Sequence, residues 1–600
     1  MRPFLLAIVS AVALVAQPSI TKVEPPNWFL NHSINPVRLL IRGAGLQNAH
    51  LDAAGLGVSR VSVNAPGTYL FADVTIPSGA TAGAHDLRVT TRAGSAQARF
   101  DVIAPLPRDG RFQGFSPEDV IYLVMPDRFA NGDTDNDDPK ISAGLYDRTK
   151  PRYYHGGDLQ GVIGHLPYLK QLGITALWMT PLYDNVNHLN DREKYDDLPI
   201  TDYHGYGAID YYGVEEHLGT LGLVRQLVDR AHALGIKVIQ DQVANHTGPF
   251  HPWVTDAPLP NWYHGTEASH VKETWQTFTL EDPHATTELK RSTLDGWFID
   301  ILPDMNQEEP EVARYEIQNT LWWLGMTGFD AIRQDTLPYV PRTFWRQWMQ
   351  AIRSEYPHVK VVGEMFDEDP ALVSFFQGGT KRFDGVDSLV DTVFDFPAYF
   401  KIRDTFARGG NLKDLANVVG HDYLYPNPNL LVTFLGLHDV KRFMNESRAT
   451  ADGLKLAFTF LMTARGVPLI YYGDEIGMSG GDDPDNRRDF PGGWKEDPRN
   501  AFDAQGRTPS ERDLFDYVQK LIQLRAQLEP LRLGKMSSLA VTDQAWVYSR
   551  ETATQKVIVA INNGVTPYPV PITNGTTLPP RSAEIYVIDK QGAHGQILRK

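Results

Sequence analysis

The sequence contains no cysteine in its 600 residues. That excludes disulfides, thiolate metal sites, iron–sulfur clusters and a cysteine nucleophile together. Basic residues are in the minority, 57 Lys and Arg against 73 Asp and Glu, for a formal net charge of −16. A net anion is a poor partner for a polyphosphate, so general nucleic-acid binding is not expected. No apolar run reaches the ~20 residues that span a bilayer. The run from Phe4 to Ala16, within MRPFLLAIVSAVALVAQPS, is preceded by one Arg and followed by polar residues. It reads as a signal peptide over residues 1–16, cleaved after Ala16. The mature protein is therefore expected to be secreted or periplasmic, with no membrane attachment after processing.

What is present is ordinary for a folded chain: 42% hydrophobic and 22% charged residues. Aromatic residues make up 11%, which serves a core and also suits flat ligands with apolar faces, such as sugars. Residues 18–105 show short alternating runs (PVRLLIRGAGL, YLFADVTIP, QARFDVIAP) broken by Gly, Pro and Asn turns. Strands at this spacing predict an immunoglobulin-like β-sandwich. Pro105–Gly110 carries two prolines and a glycine and reads as a linker.

Over 110–527 short apolar strands alternate with helical patterns. Strands are expected at 121–126, 174–180, 237–243, 329–335, 359–365, 390–396, 431–437 and 468–473. Eight strands with crossover helices predict a (β/α)8 TIM barrel. The connection at about 246–305 is too long for a loop and reads as an inserted subdomain. β signals return in AWVYSR, KVIVAIN and SAEIYVID, predicting a C-terminal β-sandwich over 528–600.

Barrel active sites lie at the C-terminal strand ends. Those ends carry Asp241 to His246, Arg333 to Asp335, Glu364, and His438 with Asp439. A lone carboxylate there is more often a surface charge or a helix cap. Four strand ends presenting such groups together point to chemistry. Glycosidic cleavage needs an acid for the leaving oxygen and a carboxylate for the cation-like carbon. Asp335 and Glu364, on adjacent strands, suit those roles. Arg333, two residues before Asp335 and on the same strand face, would keep it ionised. Glu364 must stay protonated and so needs a less polar surrounding.

These residues carry a resemblance. YHGYGAIDYYGVEEHLGT, DQVANH, GFDAIRQDT, GEMFD and HD, in that order over 110–525, resemble the α-amylase family of glycoside hydrolases, in particular its cyclomaltodextrinase and neopullulanase branch. The resemblance implies Asp335 as nucleophile, Glu364 as general acid/base and Asp439 as the carboxylate stabilising the transition state. It implies Arg333 as the arginine orienting the nucleophile. It further implies sugar contacts from His246, His438, Tyr206, His204, Asp241, Asp483 and Arg487. The chain departs from the family at FLGLHD, GEMFD, LPDMN and Gln242, and none of these departures removes a catalytic group.

A second cluster, NGDTDNDD at 131–138, is rich in oxygen ligands and suits Ca²⁺. By the same resemblance, Asn131, Asp133, Asn136, Asp137, Asp158 and the carbonyl of Gly156 would be the calcium ligands. The expected activity is retaining hydrolysis of α-1,4-glucosidic bonds in cyclodextrins, pullulan or malto-oligosaccharides. The alternatives are a glucanotransferase of the same family and a non-catalytic glucan-binding protein. The resemblance also implies a homodimer formed with the N-terminal domain. The alternative is a monomer whose N-terminal domain only packs on the barrel.

Overall fold

The computed structural model describes residues 17–571, 577–588 and, in backbone, 594–599. The signal-peptide reading of residues 1–16 lies outside the described residues. The chain forms two compact units. One runs up to Leu106 and includes Thr255–Pro260; the other takes Pro107–Val254 and Asn261 onward.

The first unit has two four-stranded sheets. One is ordered Ser19–Glu24, Val37–Ala44, Tyr69–Thr75, Gly57–Val63; the other Asn27–Phe29, Gly94–Ile103, Gly83–Thr91, His50–Ala53. Trp28, Leu39, Ile41, Leu87, Val89 and Phe100 are buried in its core. Two strands, Asn27–Phe29 and His50–Ala53, have only three and four residues, too few to show an alternation in sequence.

The second unit is built on eight parallel strands: Ile121–Val124 (β1), Ala176–Met179 (β2), Lys237–Gln242 (β3), Ala331–Gln334 (β4), Lys360–Gly363 (β5), Thr392–Val393 (β6), Val432–Phe434 (β7) and Val467–Tyr471 (β8). Their order is β6-β5-β4-β3-β2-β1-β8-β7. A parallel bridge between Phe394 and Val432 joins β6 to β7 and closes the ring. The strands are nearly all buried, as parallel strands covered on both faces must be. Each is shorter than its apolar run, because residues at one or both ends of the run lie outside the ladder.

Between β3 and β4, residues 261–305 carry short helices and a two-residue strand pair, Val271–Lys272 with Gly296–Trp297. After the helix Pro509–Gln527, a five-stranded antiparallel sheet follows, starting at Lys535–Val541. The ribbon Tyr568–Pro569 with Thr577–Leu578 buries Val570 and Leu578 against Val547, Ile558 and Ala560. Among the described residues, no helix is long and apolar enough to cross a membrane.

Candidate active site

Nine of the residues picked out in the sequence line one cleft at the C-terminal mouth of the barrel. They are Asp335, Glu364, Asp439, His246, His438, Tyr206, His204, Asp483 and Arg487. Arg333 and Asp241 lie buried beneath it.

Arg333 organises the floor. Its Nη1 donates to Asp335 Oδ1 at 2.7 Å and to Asp241 Oδ1 at 2.9 Å. Its Nη2 lies 2.8 Å from Glu364 Oε2. The second oxygen of Asp241 accepts from Trp178 Nε1 at 3.0 Å and from the Tyr206 hydroxyl at 2.9 Å. A planar guanidinium suits this fork because its donors have fixed directions. Sharing one guanidinium sets Asp335 and Glu364 side by side.

Burial raises both carboxyls, Glu364 further than Asp335. Arg333 opposes the shift in each, and the charge of Asp439 adds to it. The pair therefore divides into a more acidic Asp335 and a proton-holding Glu364. Thr336, next to Asp335, has φ +47, strained for a β-branched residue. Its N–H donates to Glu364 Oε2 at 3.3 Å, so the strain serves to bring the backbone onto the second carboxyl.

The remaining groups surround this core. Asp439 accepts from Arg487 Nη2 at 3.2 Å and lies 3.2 Å from His438 Nε2. The His438 and Tyr206 rings are parallel within 3°, with centroids 5.4 Å apart. Burial lowers the pKa of His204, His246 and His438, so all three are neutral. Neutral imidazoles donate and accept, which fits sugar hydroxyls. Gly205, between His204 and Tyr206, has φ +88, and a Cβ there would sit 2.3 Å from the Pro181 carbonyl oxygen.

Some cleft residues had no signal in the sequence. Trp275, Phe298 and Tyr339 form an aromatic cluster in the cleft lining, with Tyr339 near Glu364, and Phe366 lines the cleft as well. Trp275 stands edge-on to Phe298 and Tyr339. At another side stand Arg152 and Glu193.

The oxygen-rich loop lies apart from the cleft. Asn131 Nδ2 donates to Asp137 Oδ1 at 2.7 Å, and Asp158 accepts from the N–H groups of Gly132, Asp133 and Gly161. Asp133 is exposed and accepts from Asp135 N at 3.1 Å. Asn131 Oδ1 and Asn136 Oδ1 are buried with no hydrogen-bond donor. Asp137 and Asp158 are each pushed up to about 6, chiefly by burial, which the hydrogen bonds from Asn131 and from the N–H groups of Gly161, Asp133 and Gly132 only partly offset. At Gly156, φ +82, a Cβ would lie 2.5 Å from Asp137 Oδ1. Orphaned amide oxygens beside buried carboxylates fit a hard cation.

A parallel barrel with paired carboxyls, one kept protonated, at its C-terminal mouth defines a glycoside hydrolase. Residues 123–534 match the family of α-amylase catalytic domains, and residues 22–103 match the cyclomaltodextrinase N-terminal family. The chain belongs to the α-amylase family, in its cyclomaltodextrinase and neopullulanase branch. It is 33% identical over 459 residues to neopullulanase 2 of Thermoactinomyces vulgaris, covering 75% of this chain and 70% of that one. A cyclomaltodextrinase of Geobacillus thermopakistaniensis is 31% identical, covering 76% and 70%. A β/α-amylase of Paenibacillus polymyxa is 33% identical, but the match spans only 33% of its length. Among solved structures, an Anoxybacillus α-amylase superposes with a TM-score of 0.65 at 32% identity, covering 79% of this chain and 98% of that one.

Proposed function

We propose that the protein hydrolyses α-1,4-glucosidic bonds of malto-oligosaccharides, cyclodextrins or pullulan by double displacement. The single observation that carries this is the Arg333 guanidinium shared between Asp335 and Glu364 in a cleft that also holds Asp439. Glu364 gives its proton to the departing glucosidic oxygen while an Asp335 oxygen bonds to the anomeric carbon. Asp439, held by Arg487, stabilises the positive charge on that carbon. A water then attacks from the vacated side, gives its proton to Glu364, and releases Asp335. Close carboxyls, about 5–5.5 Å apart, belong to retention; inverting pairs stand ~6.5–9.5 Å apart. Proton NMR of the first product from maltohexaose tests this: the α-anomer is expected, and the β-anomer would refute the mechanism.

A second reading is transfer to another sugar. The rings of Trp275, Tyr339 and Phe366 in the cleft lining favour it, because an acceptor sugar would find apolar faces to stack on there. Chromatography of products at high acceptor concentration separates the two.

Calcium belongs to the loop of Asn131, Asp133, Asn136 and Asp137, with Asp158 and the Gly156 carbonyl. When bound, it neutralises the carboxylates and ties the loop to the start of helix Leu159–Leu172, which Asp158 caps. Export from the cytoplasm and homodimerisation complete the proposal. The match of residues 22–103 to the cyclomaltodextrinase N-terminal family supports the second.

A further inference from the structure

One residue of a hairpin whose sequence carries no family motif, Glu193, lines the cleft. Asn190–Tyr195 pairs with Leu198–Ile200 through a two-residue turn, Asp196–Asp197, with φ of +51 and +64. Both values are positive, as a type I′ turn requires, so the hairpin is tight. Its pairing skips from Asn190–Ile200 to Lys194–Pro199. The residues between form a bulge, a device that re-aims side chains. Buried Asn190 fixes the bulge: its Oδ1 accepts from the N–H groups of Arg192 and Glu193, and its Nδ2 donates to Asp202 Oδ1 at 2.9 Å.

Glu193 thereby enters the cleft lining. Its carboxylate, an oxygen of Asp202 and a nitrogen of His204 lie within 4.8 Å of one another. Arg152 lies 3.4 Å from Glu193 and 2.6 Å from Asp483, and Arg487 lies 3.3 Å from Asp483 and 3.2 Å from Asp439. A chain of ion pairs thus leaves the cleavage point at Asp439 and ends at Glu193, which is itself beside His204 of that same point. The guanidinium groups of Arg152 and Arg487 face this space and repel a divalent ion. They suit vicinal hydroxyls instead.

The two ends of the cleft differ in chemistry. Glu364 stands with the rings of Tyr339 and Phe366, so the sugar that leaves with Glu364's proton lies on the apolar side. Glu193 therefore stands on the side of the sugar that Asp335 retains. A non-reducing terminal sugar differs from an internal one by a free 4-hydroxyl, which a carboxylate–guanidinium pair can grip with its neighbour.

We propose that Glu193, positioned by Arg152 and the 190–200 hairpin, binds the non-reducing terminal hydroxyls of a linear α-glucan and closes the cleft there. The enzyme then cuts linear chains at a fixed distance from that end. This inference rests on the hydrolase reading above.

The test compares a p-nitrophenyl malto-oligosaccharide with the same compound carrying an ethylidene acetal across its terminal 4- and 6-hydroxyls. The natural chain should cleave the blocked compound with kcat/KM lower by about 10- to 100-fold, as expected for hydrogen bonds lost to charged groups. The first retained product from the free compound should have a single length. Glu193→Ala should raise KM for the free compound more than it lowers kcat, narrow the free-to-blocked ratio to about 3-fold or less, and spread the product lengths. Equal rates on both compounds by the natural chain, or scattered products from the free one, would overturn the wall with the hydrolase reading intact. No cleavage of either compound, or of starch, would overturn that reading and this inference with it.

Discussion

Arg333 and Glu364 are in direct contact, Nη2 to Oε2 at 2.8 Å, although the proposed reaction needs Glu364 to hold a proton. The guanidinium favours the ionised form, but burial outweighs it, and the charges of Asp335 and Asp439 push the same way as burial. One of those charges disappears in the reaction. Once Asp335 is esterified by the sugar it repels Glu364 no longer, and Arg333 acts with less opposition. Glu364 then loses its proton more readily, which is what its second role, as base toward water, requires.

That coupling can be measured without substrate. In Asp335→Asn the Glu364 carboxyl should titrate at lower pH than in the natural chain. Difference infrared spectra of the carboxyl band across a pH series would follow it. An unchanged or raised titration would show that the two groups do not communicate.

Leaving-group dependence isolates the acid role. Glu364→Gln should lower kcat on maltosides by about 10²- to 10⁴-fold, the usual range for removing a general acid. On α-maltosyl fluoride, whose leaving group needs little protonation, the first step should be nearly unaffected. Equal losses on both substrates would mean that Glu364 only shapes the site.

The barrel and the catalytic groups were legible because each is local. The strand runs are short and apolar, and Arg333, Asp335 and Glu364 fall at their ends. The apolar wall and the hairpin were not. Trp275 and Phe298 sit in an inserted segment without periodicity, and Glu193 reaches the cleft only because a bulge turns it inward. Asp241 reads in the sequence as a sugar contact; its carboxylate is buried and accepts from Arg333, a partnership its position in the sequence did not announce. Thr336 gave no signal either, since its importance lies in φ rather than in its side chain.

Asp202 links this hairpin to stability. It is buried and pushed up to about 7, first by burial, with Asn190 opposing and Glu193 adding. A raised carboxyl means that the folded chain binds more protons than the unfolded chain between pH about 4 and 7. Stability from this group is therefore lost as pH rises through that window, by on the order of a few kcal/mol. Asp202→Asn keeps the acceptor for Asn190 and removes the charge. The variant should melt higher than the natural chain at pH 8 and close to it at pH 4. A variant less stable at pH 8 would show that Asp202 is held ionised.

The loop proposed to hold calcium makes the opposite pH prediction. Asp137 and Asp158 sit at about 6, so protons compete with the metal below that value and not above it. Calcium added to chelated protein should raise the melting temperature at pH 8, with a gain of about 2.7 kcal/mol at a hundredfold excess over Kd. At pH 5 the gain should be smaller. Asp137→Asn should remove most of the response. If calcium leaves the melting temperature unchanged at pH 8, the loop is only a turn.

The N-terminal unit bears on which substrates reach the cleft. It carries its own buried core around Trp28, Leu87 and Phe100, so nothing in its packing requires a catalytic role, and its match to the cyclomaltodextrinase N-terminal family spans residues 22–103. If it joins two chains, the second chain narrows access to the first, and bulky starch suffers more than maltohexaose. Dissociation is governed by concentration, so dilution alone should change specificity. Sedimentation would locate the dimer-to-monomer range. Initial rates on starch and on maltohexaose, measured on both sides of it, should give a starch-to-maltohexaose ratio that rises on dilution. A protein that sediments as a monomer throughout, or a ratio that stays constant while the dimer dissociates, would remove the N-terminal unit from the account of specificity. Discrimination between long and short chains would then rest on the Glu193 hairpin and the aromatic wall within a single chain.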